Sequence, residues 1–169
     1  MNQLERLNSL PANQARAELL KCCGSARWAR EMTAARPFAN ADDLLEKGDA
    51  VWRSLDQQDW LDAFHAHPKI GEQKAAATQS EQAQNWSAQE QSGVQSASAA
   101  TAAALAAGNR EYEQRFDFIF IVCATGKTSE EMLAILTERL RNDAETELNN
   151  AAEEQRKITR LRLLKSLES

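Results

Sequence analysis

Helical periodicity recurs along most of this chain, and residues that start and stop helices punctuate it. Leu4, Leu7 and Leu10 are spaced for a short first helix. Pro11 suits the opening of a second, which carries Ala15, Leu19 and Cys22 and is expected to end at Gly24 as its C-cap. Trp28, Met32 and Ala35 mark a third helix closed by Pro37, and Leu44, Leu45, Val51, Trp52 and Leu55 a fourth behind Asn40 or Asp42. Trp60, Leu61 and Phe64 continue the pattern behind Asp56, an expected N-cap. Pro68 stops that fifth helix by His67, because the residue before a proline is driven out of the α region. At 169 residues the chain is expected to be one domain, 1–169, with a substantial core.

The second half is less regular. From Gly71 to Trp86 a polar stretch bearing Ala and Gln lacks an apolar period and reads as a loosely structured connection. Ser87-Ala88-Gln89-Glu90 matches a capping box, so a long, Ala-rich helix is expected to open there and run to Ala107, with Gly108 or Asn109 ending or kinking it. Arg110 to Arg115 suits another helical segment. Phe116 to Cys123 fits either an extended apolar segment or a short buried helix, and periodicity does not choose between them. Gly126-Lys127-Thr128 lacks the earlier glycine of a phosphate-binding loop and reads as a turn. Thr128 and Glu131 form a second capping box before the face Met132, Leu133, Ile135, Leu136 and Leu140. A last helix is expected from Asn142 or Asp143, with Leu148, Ala152, Gln155, Thr159 and Arg162 on one side. An arginine among inward-facing positions requires a partner, whether an internal acid or a ligand.

Charge and cysteine usage narrow the classes. The net charge of −5, with both signs interspersed, argues against a nucleic-acid partner. The basic run Arg156 to Arg162 is broken by Ile158 and Leu161, as a helix face would be. Phe116 to Ala124 contains Asp117 and falls far short of the roughly 20 residues a membrane helix needs, so no membrane association is expected. Cys22, Cys23 and Cys123 are an odd set without ligand spacing, which suits a reducing, cytoplasmic location. The first turns carry Glu5 and Arg6 and lack a signal-peptide core.

Few residues could carry chemistry. His65 and His67 are the only histidines, and Pro68 presents His67 on a short rigid loop from which an imidazole can move protons near neutral pH. The simpler reading is a histidine satisfied locally at a helix C-terminus. Two histidines without a third ligand at suitable spacing make a poor metal site, so none is expected. Ser87 lacks the GxSxG elbow of a serine hydrolase. A helical interaction (adaptor) module without catalytic activity is the competing class.

The order and wording of five segments are informative together. Ala35-Arg36-Pro37-Phe38, His67-Pro68-Lys69-Ile70-Gly71, Ser87-Ala88-Gln89-Glu90-Gln91-Ser92-Gly93, Tyr112 to Phe120, and Lys157-Ile158-Thr159-Arg160-Leu161-Arg162-Leu163 resemble the 2-oxo-4-hydroxy-4-carboxy-5-ureidoimidazoline (OHCU) decarboxylase family over nearly the whole chain. One departure is Asp117, where the family commonly has glycine. The resemblance implies an all-α, single compact multi-helix domain with a His-Pro loop and a C-terminal helix closing the pocket. It implies a homodimeric, cofactor-free enzyme of urate catabolism that converts OHCU to (S)-allantoin and CO2. By the same resemblance His67 and Glu90 are catalytic. Pro68, Ser87, Ala88, Gln89, Glu90, Gln91, Phe120, Ile121, Val122, Cys123, Ala124 and Arg162 line the site. A bidentate grip on the departing carboxylate would favour the ground state, so Arg162 is expected on a ring or ureido carbonyl instead.

Overall fold

A computed structural model describes residues 1–69, 81–90 and 98–168. Among these residues every regular element is an α-helix: α1 (Gln3–Ser9), α2 (Ala12–Cys22), α3 (Ala26–Ala34), α4 (Ala41–Ser54), α5 (Gln57–His65), α6 (Glu81–Glu90), α7 (Ala99–Phe116), α8 (Ser129–Arg139) and α9 (Ala144–Ser166). None of them is long and apolar enough to cross a membrane. The chain forms two compact units: Met1–Ala63 with Arg156–Ser169, and Phe64–Gln155.

In the first unit the start signals act where the sequence places them. Asn40 Oδ1 accepts the Asp43 amide at 2.9 Å and opens α4, and Asp56 Oδ1 accepts the Asp59 amide at 3.0 Å and opens α5. Ser25 caps α3 by accepting the Trp28 amide at 3.2 Å. The stop of α2 differs from expectation: its C-cap is Cys23 in an extended conformation, so Gly24 supplies no left-handed cap. Extended backbone at Cys23 leads directly into the Ser25 cap, which leaves no room for a left-handed turn. The core gathers Leu19, Trp28, Met32, Leu44 and Leu163, each worth about 1.5–3 kcal/mol when fully buried. Trp28 Nε1 donates to the Gly48 carbonyl at 3.1 Å, and a Cβ at Gly48 would lie 3.3 Å from Leu163 Cδ1, so α4 approaches these neighbours closely.

In the second unit three boundaries correct the sequence reading. Helix α6 begins at Glu81, inside the stretch expected to be loose. Ser87 and Glu90 therefore sit in its last turn, and the expected capping box is not an N-terminus at all. Ala83, Trp86, Ser87 and Glu90 recur at three- and four-residue spacing and are buried, so one face of α6 packs inward and overrides the local cap signal. The next helix opens at Ser98, whose hydroxyl accepts the Thr101 amide at 3.1 Å. It then passes through Gly108 and Asn109 without ending. Gly108 serves packing instead: a Cβ there would lie 2.6 Å from Leu136 Cδ2, so its absence lets α7 and α8 approach. Residues 70–80 and 91–97 lie outside the described set, and with them Ile70, Gly71, Gln91 and positions 91–97 of the helix expected from Ser87.

Helix α7 ends on Asp117 at φ 63°, ψ 16°, the left-handed conformation that glycine adopts most easily and aspartate tolerates. The departure noted in the sequence thus falls at the one non-glycine residue with positive φ among those described. Gly126, at φ 77°, makes the turn before α8, which opens with the expected Thr128–Glu131 capping box. Asp143 opens α9 by accepting the Thr146 amide at 2.7 Å.

Candidate functional site

Phe120, Ile121, Val122, Cys123 and Ala124 form neither helix nor strand. All five are buried. Buried backbone without a ladder must find other partners, and here side chains provide them. Arg139 Nη1 donates to the Ile121 carbonyl at 2.5 Å, the Cys123 amide donates to Glu154 Oε1 at 3.2 Å, and Lys127 Nζ donates to the Cys123 carbonyl at 2.7 Å. The Arg139 guanidinium also lies 4.7 Å from the Phe120 ring centroid. The segment holds its irregular course because side chains remote in sequence complete its hydrogen bonding, which no periodicity could disclose.

Arg139 is itself held in a buried network. Its Nε is 2.7 Å from Glu147 Oε1, and the Tyr112 hydroxyl donates to that same oxygen at 2.6 Å. Asn142 and Asn150 each donate to Glu147 Oε2 at 2.8 Å. Burial alone would push the Glu147 carboxyl upward, but the bonds from Tyr112, Asn142 and Asn150 and the charge of Arg139 together hold it below its ordinary value. Burial raises the Tyr112 hydroxyl well above the usual phenol range, so it stays a donor. Phe116, Phe118 and Phe120 surround the Tyr112 ring, and Phe64 packs on Phe118 at 5.4 Å.

Phe64 is also where the His-Pro loop leaves α5. The His67 amide donates to the Phe64 carbonyl at 3.2 Å and closes the helix end. Pro68 is buried, and Lys69 Nζ pairs with Glu113 Oε2 at 2.8 Å, tying the loop to α7. The His67 imidazole is not confined to its own helix end. Its Nε2 lies 2.6 Å from Oε1 of Gln155, a fully buried residue of α9. Gln155 follows Glu154, so consecutive residues of α9 hold the histidine and the Cys123 amide.

Glu90 is buried at the end of α6, with Ser87 one turn before it on the same face. Burial raises the Cys123 thiol above its ordinary range; Lys127 opposes that, while the carboxylates of Glu154 and Glu90 reinforce it. Cys123 is therefore a neutral wall group, not a thiolate nucleophile. Ala88 and Gln89 are exposed and do not join Ser87 and Glu90 on the inward face. Gln91 is outside the described residues. The second unit thus places together His67, Gln155, Glu154, Cys123 and the charge of Glu90. Gln155 had been placed from sequence only on the inward face of the last helix, and Glu154, Arg139 and Glu147 had not been singled out.

Arg162 belongs to the first unit, where it is 2% exposed. Its Nη1 lies 3.5 Å from the Lys21 carbonyl. Burial pushes the Cys22 thiol up to about 12 and Cys23 up to about 11, against the opposing charge of Arg162. All three cysteines are free thiols. Among the described residues no group of three His, Cys, Asp or Glu side chains is arranged to hold a metal ion.

Comparison with known proteins now gives this arrangement a context. The profile described as OHCU decarboxylase matches residues 8–164. The uric acid degradation bifunctional protein TTL of Arabidopsis thaliana is 38% identical over 144 residues, covering 85% of this chain and 44% of that protein. The bifunctional protein PucL of Bacillus subtilis is 31% identical over 137 residues, 80% of this chain and 27% of its own length. The chain thus spans less than half the length of these two curated relatives. The 2-oxo-4-hydroxy-4-carboxy-5-ureidoimidazoline decarboxylase of Amia calva is 34% identical over 76% of this chain and 73% of its own. Among solved structures, a crystal structure of OHCU decarboxylase in the presence of (S)-allantoin superposes with a TM-score of 0.77 at 36% identity, covering 90% of this chain and 98% of that one.

Proposed function

The chain belongs to the OHCU decarboxylase family, and from that premise we propose that it converts OHCU to (S)-allantoin and CO2. The observation that carries this reading is the 2.6 Å contact between His67 and Gln155. It lifts the histidine out of a local helix-end role and fixes an imidazole in the unit that holds buried Glu90 and the Phe120–Ala124 segment.

The substrate ring carries an imine conjugated to the carbon that bears the carboxylate. When the C–C bond to the carboxylate breaks, CO2 leaves and the electron pair passes into that imine. The vacated carbon keeps its hydroxyl, which loses its proton as that carbon becomes the ring carbonyl, and the neighbouring ureido-bearing carbon takes a proton and becomes the stereocentre. The protein supplies orientation, hydrogen bonds that strengthen as charge moves onto the ring, and the proton. His67 delivers that proton, and Glu90, with Ser87 beside it, makes the hydrogen bonds to the ring. Buried Phe120, Ile121, Val122, Cys123 and Ala124 form the wall against which the reacting carbon rests, with Pro68 buttressing the histidine. Arg162 takes a ring or ureido carbonyl, since a fork on the departing carboxylate would hold the ground state more tightly than the transition state.

A homodimer and a cytoplasmic location belong to the same proposal. Three free, buried thiols fit a reducing compartment, and sedimentation of the purified protein tests the dimer. The direct test of function is the disappearance of freshly generated OHCU. Catalysis above the spontaneous rate that is lost in His67→Asn supports the reading, and an unchanged spontaneous rate overturns it.

A further inference from the structure

A proton reaches one face of a ring quickly only where its donor and the ring are held at a fixed separation. Resting on the decarboxylase reading above, we propose that Glu154 is a positioning residue. It holds the Cys123 amide while its neighbour Gln155 holds His67, and so sets the Phe120–Ala124 wall at a fixed distance from the imidazole.

Two contacts carry the assignment. Glu154 Oε1 accepts the Cys123 amide at 3.2 Å, and Gln155 Oε1 lies 2.6 Å from His67 Nε2. The two residues are consecutive in α9, about 1.5 Å apart along its axis, and a helix does not stretch between neighbours. Wall and imidazole are therefore each one side-chain contact away from the same rigid turn. Cys123 is gripped at its other end too, where Lys127 Nζ donates to its carbonyl at 2.7 Å. The Lys127 amide donates to the Ala124 carbonyl at 3.0 Å, and this turn carries the ammonium back to the segment. Arg139 holds the Ile121 carbonyl from α8. Of these three side chains, Glu154 is the one on the helix that also meets His67. All of these residues belong to the second unit.

The reaction makes that distance matter. After CO2 has left, the ureido-bearing carbon must meet the proton from His67 before water supplies one to either face. A displacement of about 1 Å at a reacting centre can lower a rate about 10²-fold. What the role requires of residue 154 is reach and an acceptor oxygen. Glutamine offers both, whereas aspartate keeps the charge but is one methylene shorter. The Cys123 and Ile121 carbonyls retain their own donors in either variant, so loosening the amide shifts the segment without dissolving the fold.

Steady-state kinetics and the handedness of allantoin formed from fresh OHCU test this in the full chain. Hydrogen exchange at the Cys123 amide, followed by NMR, is the local readout, and circular dichroism checks that each variant is folded. Glu154→Asp should lower kcat at least about 10-fold with KM within about 3-fold. It should also reduce the excess of the (S) enantiomer and speed exchange of the Cys123 amide. Glu154→Gln should keep kcat within about 3-fold of the unmodified protein, with that amide still protected. The reverse order, Glu154→Asp active and Glu154→Gln impaired, overturns the proposal because charge and not reach would then be what the site uses. Equal loss in both variants overturns it too, as does a folded Glu154→Asp protein with unchanged kcat and product handedness. Should Glu154→Asp fail to fold, Glu154→Gln decides: a protected Cys123 amide with near-full kcat supports the proposal, and an exposed amide or a lost kcat overturns it. An unmodified protein that leaves OHCU to its spontaneous rate refutes the decarboxylase reading, a result distinct from an active enzyme indifferent to Glu154→Asp.

Discussion

Replacing Arg139 by methionine removes one side chain and challenges the whole account of how the Phe120–Ala124 segment is held. The guanidinium bonds Glu147 at 2.7 Å, the Ile121 carbonyl at 2.5 Å and the Tyr112 hydroxyl at 3.3 Å. Methionine keeps much of the length and apolar stem, so the loss is dominated by charge and hydrogen bonds. The Glu147 side chain is fully buried, and leaving such a carboxylate without its cation costs about 3–5 kcal/mol. Losing the donor to the Ile121 carbonyl would by itself cost about 1–3 kcal/mol. The two terms share one network and do not add, so about 3–5 kcal/mol is the expected total. A domain with about 5–15 kcal/mol of stability then stays folded with little to spare. Urea unfolding followed by circular dichroism measures the loss. OHCU turnover at low temperature, where the variant is folded, should also fall at least about 10-fold because the segment loses its anchor. A destabilisation below about 1 kcal/mol would refute the claim that Arg139 and Glu147 form an interdependent buried pair.

Four further outcomes follow from the same geometry. The folded Glu147 carboxyl lies below its ordinary value of 4.5, so its stabilisation is present above that pH and is lost as pH falls through the lower folded value; Glu147→Gln should flatten the acid limb of stability measured by urea titration. Asp117→Gly should stabilise by about 0.5–1 kcal/mol, since relief of left-handed strain exceeds the added freedom of the unfolded chain, and thermal denaturation reads it. Glu90→Gln, nearly isosteric at a buried position, should change stability by less than about 1 kcal/mol while lowering kcat at least about 10-fold. Arg162→Lys should lower kcat/KM substantially with the helix intact on circular dichroism, because lysine lacks the planar fork; Arg160→Lys should be nearly silent, since Arg160 is part-exposed and pairs with Asp49 at 2.6 Å.

The helices of the first unit were legible because their signals are local. Asn40, Asp56 and the Trp28–Met32 spacing act within a turn or two of themselves, and the structure honours each. Ser87-Ala88-Gln89-Glu90 misled for the converse reason. The same three-residue spacing that makes a capping box also puts two side chains on one inward face, and burial of Ala83 and Trp86 decided in favour of the face. Gly108 read as a breaker because a sequence does not show Leu136 lying where its Cβ would be. His67 was legible as an element of chemistry from its proline, but the residue that orients it lies 88 positions away. Periodicity could place Gln155 on an inward face of α9, and only the fold could pair it with His67. Nothing in the local sequence singles out Arg139, whose role depends on the Ile121 carbonyl and Glu147 that the fold brings to it.

The handedness of the product tests the central claim most directly. Spontaneous decay of OHCU delivers the proton to either face of a planar ring and yields racemic allantoin. An imidazole fixed by Gln155 at 2.6 Å delivers it to one face. Chiral chromatography or circular dichroism of allantoin formed from fresh OHCU should therefore show a large excess of the (S) enantiomer with the unmodified protein, and none with His67→Asn. Racemic product formed at the spontaneous rate in the presence of the folded, unmodified protein would contradict the account.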